Sequence, residues 1–299
     1  MQKFTILSLF VGLLCSCSEA DLPAEGMKDP NQISIVAQYP CATRATATAF
    51  EQGDPIGLFA VAYNGAEALP LQVGNNFLNN EQFIYQNSIW TPKRTLYWGD
   101  TNLDFYAYYP YTSIHSVDKL IYEIAADQRV KGADGALDAY EKSDFLYAKA
   151  TNAARADGDV QLRFNHLFSK MLIKLEKGPT FEGEFPKDIN VSIYNTVTTA
   201  TINLQAGSAT KYAYGTKNTV QARQSSSTTF EAILVPQYID TLTPLVEITM
   251  DGIAYLLDYS ISLRPGYIHE IKVVLNTSPD QEKIEISIDG SIEDWNKPG

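Results

Sequence analysis

Alternation of apolar and polar side chains with a period of two is the feature that most constrains how this chain folds. It is clearest in the stretch Thr95–Tyr111 (TLYWGDTNLDFYAYYPY). Two β-prone runs flank residues 99–102 in this stretch, which predicts a hairpin. In the second run, Leu103–Tyr109, large aromatic residues fall on both faces. Because such a strand needs cover on both sides, we expect a central strand of a sandwich whose outer face is shielded by loops.

Composition supports an all-β protein and excludes a nucleic-acid-binding one. The chain has 18 Tyr and 13 Phe, and strand-like runs recur with short turns, a spacing typical of Greek-key sandwiches. Its formal net charge is −12, whereas nucleic-acid binding relies on clustered Lys and Arg. Because 299 residues exceed the usual size of one domain, two domains are expected.

The chain begins with the pattern of an exported protein. Lys3 supplies a positive charge, and the apolar run Ile6–Leu14 is too short to anchor the chain across a bilayer. The residues that follow, Leu14-Cys15-Ser16-Cys17, resemble a bacterial lipobox in which Cys17 becomes the acylated first residue. We therefore expect residues 1–16 to be a lipoprotein signal peptide. The alternative is an ordinary secretory signal with two incidental cysteines.

The residues after the signal favour a tethered surface protein. Glu19 and Asp21 resemble the export signal that sends Bacteroidota lipoproteins to the outer face of the outer membrane. Residues 17–32 are polar and contain Pro and Gly, which is typical of a flexible tether. Acylated Cys17 would leave Cys41 as the only thiol of the mature chain, so no intramolecular disulfide is expected.

Two short segments carry similar apolar alternations near the ends of the chain. Ile33, Ile35 and Ala37 define a first strand that stops at Pro40, and a last strand follows the pattern of Ile284, Ile286 and Ile288. Each offers one row of apolar side chains, so either strand fits a groove made for the other. Between the first strand and the next lies CATRATAT (residues 41–48), whose small residues predict a segment accessible to protease; a plain connecting loop is the alternative.

Five phrases together resemble one known family. They are TRATATAFEQGDPIGLFAVAY from Thr43, LYWGDTNLDFYAYYPY from Leu96, SDFLYAKAT from Ser143, FNHLFSKMLIKL from Phe164 and ILVPQ from Ile233. In this order they resemble the fimbrillin-like surface lipoproteins of Bacteroidales. The resemblance implies two tandem transthyretin-like Greek-key β-sandwich domains. The polar segment Asn152–Asp159 is taken as the hinge, which gives domains over residues 33–157 and 158–299.

The resemblance also implies an assembly mechanism. In fimbrillins a trypsin-like protease cuts after an Arg that follows the first strand, and loss of that strand opens a groove for a strand from a neighbouring subunit. By position the cut falls between Arg44 and Ala45. The strand of Ile33, Ile35 and Ala37 is then displaced, and the strand of Ile284, Ile286 and Ile288 is the candidate donor. Trp295 opposes donation if it caps the domain and fixes the last strand in its own sandwich.

Catalytic and metal-binding patterns are absent from the sequence. His115, His166 and His269 are isolated, and His269 falls on an apolar face, which favours a structural role over metal binding. No cofactor is expected, and Asp157-Gly158-Asp159 is better explained as a polar turn than as a calcium site.

We therefore expect a non-enzymatic fimbrial subunit in the stalk, at the tip or at the base, which is bound to the outer membrane through its lipid and to other subunits by strand exchange. The alternative is a stand-alone surface lipoprotein that binds glycan or a host ligand through exposed aromatic residues, namely Tyr106, Tyr108, Trp90 and Trp98.

Overall fold

A computed structural model describes residues 29–40, 49–134, 136–240, 244–276 and 286–296, with the backbone alone for residues 286–290. Within these ranges the chain is nearly all β, which confirms the predicted fold class. Its α-helical content is one short helix, α1 (Ala139–Ser143). A 3-10 helix covers Arg155–Asp157.

The strands before the 3-10 helix form mainly one sheet. They are β1 (Ile35–Gln38), β2 (Pro55–Asn64), β3 (Glu67–Ala68), β4 (Leu78–Gln86), β5 (Ile89–Pro92), β6 (Leu103–Tyr109), β7 (Leu120–Glu123) and β8 (Leu146–Ala153).

The strands after it are more numerous. They are β9 (Val160–Arg163), β10 (Asn165–His166), β11 (Ser169–Lys177), β12 (Ile189–Val197), β13 (Thr199–Asn203), β14 (Ser208–Lys211), β15 (Lys217–Gln221), β16 (Arg223–Ser226), β17 (Thr229–Leu234), β18 (Tyr238–Ile239), β19 (Val246–Met250), β20 (Ile253–Leu257), β21 (Ile261–Ser262), β22 (Tyr267–Leu275) and β23 (Ile286–Asp294).

Three sheets carry most of the architecture. A seven-stranded sheet has the order β10-β8-β6-β2-β4-β5, with β3 paired to β2. A five-stranded sheet has the order β16-β17-β11-β22-β23, and a four-stranded sheet has the order β15-β12-β19-β20. Two-stranded sheets pair β1 with β9 and β18 with β21, and a three-stranded sheet has the order β14-β13-β7. The last strand, β23, therefore lies at the edge of its sheet.

Strand β6 is central, as predicted, but the hairpin predicted around it is wrong. Its neighbours in the sheet are β2 and β8. The run before it pairs elsewhere, because Tyr97 forms an antiparallel bridge with Gln32. Every residue of β6 is buried, so both of its faces are covered, as predicted. Phe105 and Tyr109 pack into the core of the first half, whereas Tyr106 and Tyr108 pack into a core that includes strands of the second half. The core that receives Tyr106 and Tyr108 also includes the loop residues Leu71, Ile114 and Val117.

Strand pairing crosses the predicted hinge. Strands β9 and β10 follow residue 157, yet β9 pairs with β1 and β10 pairs with β8. In the other direction, β7 pairs with β13, so a strand of the first half enters a sheet of the second. The division into domains 33–157 and 158–299 stays a prediction. The sheets themselves join residues from both sides of that boundary.

Candidate functional site

The first strand and the residues just before it are hydrogen-bonded to two neighbouring segments. On one edge β1 runs parallel to β9, with Ile35 opposite Val160. On the other edge the N–H of Ile33 donates to the carbonyl oxygen of Leu96 at 2.8 Å, and the N–H of Trp98 donates to the carbonyl oxygen of Asn31 at 2.8 Å. The segment is therefore inserted between two others, so its removal would leave an opening between them.

The side chains of this strand alternate as the sequence predicts. Ile33 and Ile35 are 1% and 6% exposed, and Ala37 is partly buried against the same core. Val36 and Gln38, between and after them, are exposed. The strand thus contributes one row of apolar side chains to the core of the first half.

The opening that loss of β1 would leave has defined walls. Its apolar lining is the rest of that core, including Leu96, Trp98, Val160, Leu162 and Phe164. Backbone groups would also lose partners, because Val160 N–H donates to Ser34 O at 2.9 Å and Phe164 N–H donates to Gln38 O at 3.0 Å. Exposed apolar surface and unpaired backbone groups along one line are what an added strand satisfies.

The candidate donor strand lies at the other end of the chain. β23 pairs antiparallel with β22, so that Ile286 is opposite Leu275 and Ile288 is opposite Val273. Ile284 lies outside the described residues, and the side chains of Ile286 and Ile288 do as well. As an edge strand β23 is hydrogen-bonded to β22 alone among the described strands.

Trp295 fastens the end of this strand to its own subunit. It is 3% exposed, and its ring stacks on His166 with 3.4 Å between ring centroids. The backbone N–H of Trp295 donates to the carbonyl oxygen of Gly266 at 2.8 Å. The next side chain, Asn296, accepts a hydrogen bond from His166 N–H at 2.7 Å. Trp295 and Asn296 thus both contact His166 at the end of β10. This is the capping arrangement that opposes donation of the last strand to a neighbouring subunit.

Three residues of the predicted maturation steps fall outside the described residues. They are Cys17, Arg44 and Ala45. Lipidation and cleavage therefore stay predictions. Among the described residues, no helix has the length and apolar character needed to cross a membrane.

The proposal of an exposed aromatic ligand platform is wrong for the residues it names. Tyr106, Tyr108, Trp90 and Trp98 are all buried, none more than 9% exposed. Trp90 packs edge-on against Phe50, with 4.9 Å between ring centroids. The period-two pattern placed rings on both faces of β6, and both faces proved to be core.

The histidines differ in their surroundings. His115 is exposed. His269 is buried, its Nε2 accepts from the N–H of Arg264 at 3.0 Å, and burial lowers its pKa to about 4. These contacts fit the structural role that the sequence favoured. Among the described residues no group of three or more His, Cys, Asp or Glu is placed to hold a metal ion.

Two buried pairs of ionisable side chains were not predicted from the sequence. His166 Nδ1 lies 2.9 Å from Asp144 Oδ1, and both residues are buried. Lys170 is buried with its ammonium 2.7 Å from Glu231 Oε2. Glu231 also binds Arg223 at 2.8 Å, so one carboxylate balances two cations. No local pattern signals such pairs, because the partners are far apart in the sequence.

Solved structures share this fold at low sequence identity. A candidate cell adhesion protein from Bacteroides uniformis is 22% identical with a TM-score of 0.63, over 89% of this chain and 100% of that one. Another from Bacteroides ovatus is 19% identical with a TM-score of 0.64, over 90% of this chain and 99% of that one. At these identities the likeness shows the fold alone.

Sequence comparison identifies the family. A curated relative, a candidate fimbrium tip subunit named Fim1C from Bacteroides ovatus, is 30% identical over 179 residues, which are 54% of this chain. The chain spans about a third of that relative's length (32%). A family model described as fimbrillin-like matches residues 43–295. Because this match spans most of the sequence, the chain belongs to the fimbrillin-like family.

Proposed function

We propose that this chain is a structural subunit of a cell-surface fimbria. The observation that carries the proposal is the match of the fimbrillin-like model over residues 43–295. The name of the relative Fim1C, a candidate fimbrium tip subunit, points the same way. The partners of such a subunit are other fimbrial subunits, and no step of its function requires catalysis or a cofactor. The proposal covers the stalk, tip and base positions alike.

The subunit reaches the surface as a lipoprotein in this proposal. The signal peptide over residues 1–16 is removed, and Cys17 carries the lipid. Acyl chains on Cys17 tether the protein to the outer membrane without a spanning segment. Residues 17–32 then separate the lipid from the first strand.

Maturation is proposed to occur by cleavage between Arg44 and Ala45. Cleavage there would disconnect β1 from the rest of the subunit and free that subunit from its lipid, because Cys17 also precedes Arg44. An uncut copy would keep the lipid and serve as an anchor. Burial of Ile33 and Ile35 stabilises the uncut form by roughly 1.5–3 kcal/mol per side chain. An incoming strand with similar apolar spacing regains that free energy together with the backbone hydrogen bonds.

The strand of Ile284, Ile286 and Ile288 is proposed as the donor. Its place at a sheet edge supports this, because one row of hydrogen bonds to β22 holds it. The buried ring of Trp295 opposes release, so donation requires that this ring leave its contact with His166. A subunit in which Trp295 stays in place accepts a strand without giving one.

Immunogold electron microscopy of intact cells tests the proposed function. Antibody against residues of the second half should label surface filaments, along their length or at an end. Cells that lack the gene serve as the control for labelling. Gold distributed over the cell surface, with filaments unlabelled and unchanged when the gene is deleted, would contradict a fimbrial role.

A further inference from the structure

A cavity of about 190 Å³ lies where the end of the first strand, helix α1, β10 and the residue after the last strand meet. Its lining includes Tyr39, Tyr140, His166 and Trp295, one from each of these elements. We propose that this cavity binds a small organic cation, carried either by a free amine or by a basic side chain of a peptide. This goes beyond the fimbrial role and does not depend on it.

Two buried polar atoms of lining residues have no hydrogen-bond partner among the described residues. They are the hydroxyl of Tyr140 and Nε2 of His166. His166 Nδ1 faces the carboxylate of Asp144 at 2.9 Å, and a carboxylate can only accept. The ring proton therefore lies on Nδ1, which leaves the lone pair of Nε2 free in the neutral ring. Both orphan atoms can accept a hydrogen bond, so they match a ligand that brings N–H donors.

Charge in the cavity favours a cation over an anion. Four lining residues are carboxylic acids, namely Glu51, Asp54, Glu141 and Asp144. One lining residue, Arg223, is a permanent cation, and its guanidinium is paired with Glu231 at 2.8 Å. Burial, and after it the charges of Asp144, Asp54 and Glu141, raises the pKa of Tyr39. The carboxylates of Asp144, Asp54 and Glu141 thus interact electrostatically with the phenol of Tyr39, which lines the cavity.

Aromatic walls suit an organic cation better than a metal ion. Tyr39, Tyr109, Tyr140 and Trp295 line the cavity, and ring faces attract ammonium and guanidinium groups. The protein already uses one of these rings in this way, because Arg223 lies 3.5 Å from the ring centre of Tyr140. No metal-binding group of three His, Cys, Asp or Glu occurs in the described part of the chain.

Exposure of the lining residues defines the mouth of the cavity. Glu51 is exposed and Glu141 is partly exposed, whereas Asp54 and Asp144 are buried. An acidic mouth attracts cations from solution. The volume fits an alkylammonium or alkylguanidinium group and is too small for a folded partner, so a protein ligand would enter with a single side chain.

Calorimetric titration of the soluble full chain from residue 18 tests the inference. The probes are n-butylammonium, agmatine and N-acetyl-lysine methylamide, with n-butanol and methyl glucoside as uncharged probes. The three cations should bind saturably with one site per chain, and the two uncharged probes should not. Saturation by the first two alone would assign the site to free amines, and saturation by all three would extend it to peptide side chains.

A matched pair of variants separates the cavity from general effects. Tyr140→Phe removes a hydroxyl that has no partner in the described part of the chain, so the fold is retained while affinity for n-butylammonium falls at least fivefold. Tyr147→Phe removes another buried hydroxyl that lacks a partner within the described ranges, on a residue outside the cavity lining, and should leave affinity unchanged. Absence of saturable cation binding, equal binding of n-butanol, or equal effects of the two variants would overturn the proposal.

Discussion

Replacing Trp295 with alanine measures how firmly the last strand is held in its own subunit. The ring is 3% exposed and stacks on His166 at 3.4 Å. Removal of a buried Trp side chain costs about 3–5 kcal/mol, because apolar contacts are lost and a cavity remains. For a cooperative unit of 150–250 residues, each kcal/mol lowers Tm by about 2–4 °C. We therefore expect Trp295→Ala to lower Tm by about 6–20 °C.

The control lies on β23, the strand that Trp295 directly follows. Ile292 is 57% exposed, so Ile292→Ala should change the free energy of unfolding by no more than about 0.5 kcal/mol. Urea denaturation gives the free energies, and amide hydrogen exchange locates the effect. In Trp295→Ala the amides of β23 should exchange faster, while those of β2 and β6 keep their protection. A fall in stability no larger than that of Ile292→Ala would refute the capping role.

Three further predictions address export, pH dependence and domain organisation. Cys17→Ala should abolish incorporation of a fatty-acid analogue and leave an uncleaved or mislocalised precursor; retained labelling would contradict lipidation at Cys17. Because burial lowers the pKa of His269 from 6.5 to about 4, the unfolded chain binds more protons in this range and stability should fall as pH drops from about 6.5 to 4. The fall should be shallower in His269→Gln than in His115→Gln, whose residue is exposed. Because β7 pairs with β13, fragments from a protease site engineered after Ala156 should stay associated on native gel filtration, and separate elution would contradict the shared sheet.

The sequence predicts the faces of strands better than their partners. Alternation indicated that Ile33 and Ile35 share a buried face, and the structure confirms it. The same alternation says nothing about pairing. It therefore predicts a local hairpin for Tyr97, which instead bridges to Gln32. Local turn residues favour hairpins, and here a long-range pairing of the first strand prevails over them.

The positions of buried charged residues also depend on strand pairing. Lys170 is buried, although charged side chains are seldom buried without a partner. The partner, Glu231, lies on β17, which neighbours β11 in the sheet. Asp144 and His166 likewise meet because β10 pairs with the start of β8. The cavity therefore depends on strand order, which a period-two pattern does not encode.

Arg-specific cleavage of the purified precursor tests strand exchange most directly. The new N-terminus should be Ala45, and the cut protein should form oligomers that resist mild heating in SDS. Arg44→Lys should block both the cut and the oligomers, whereas Ile286→Asp should be cut normally and yield no oligomers. Efficient cutting after Arg44 that leaves only monomers would contradict assembly by exchange of the first strand.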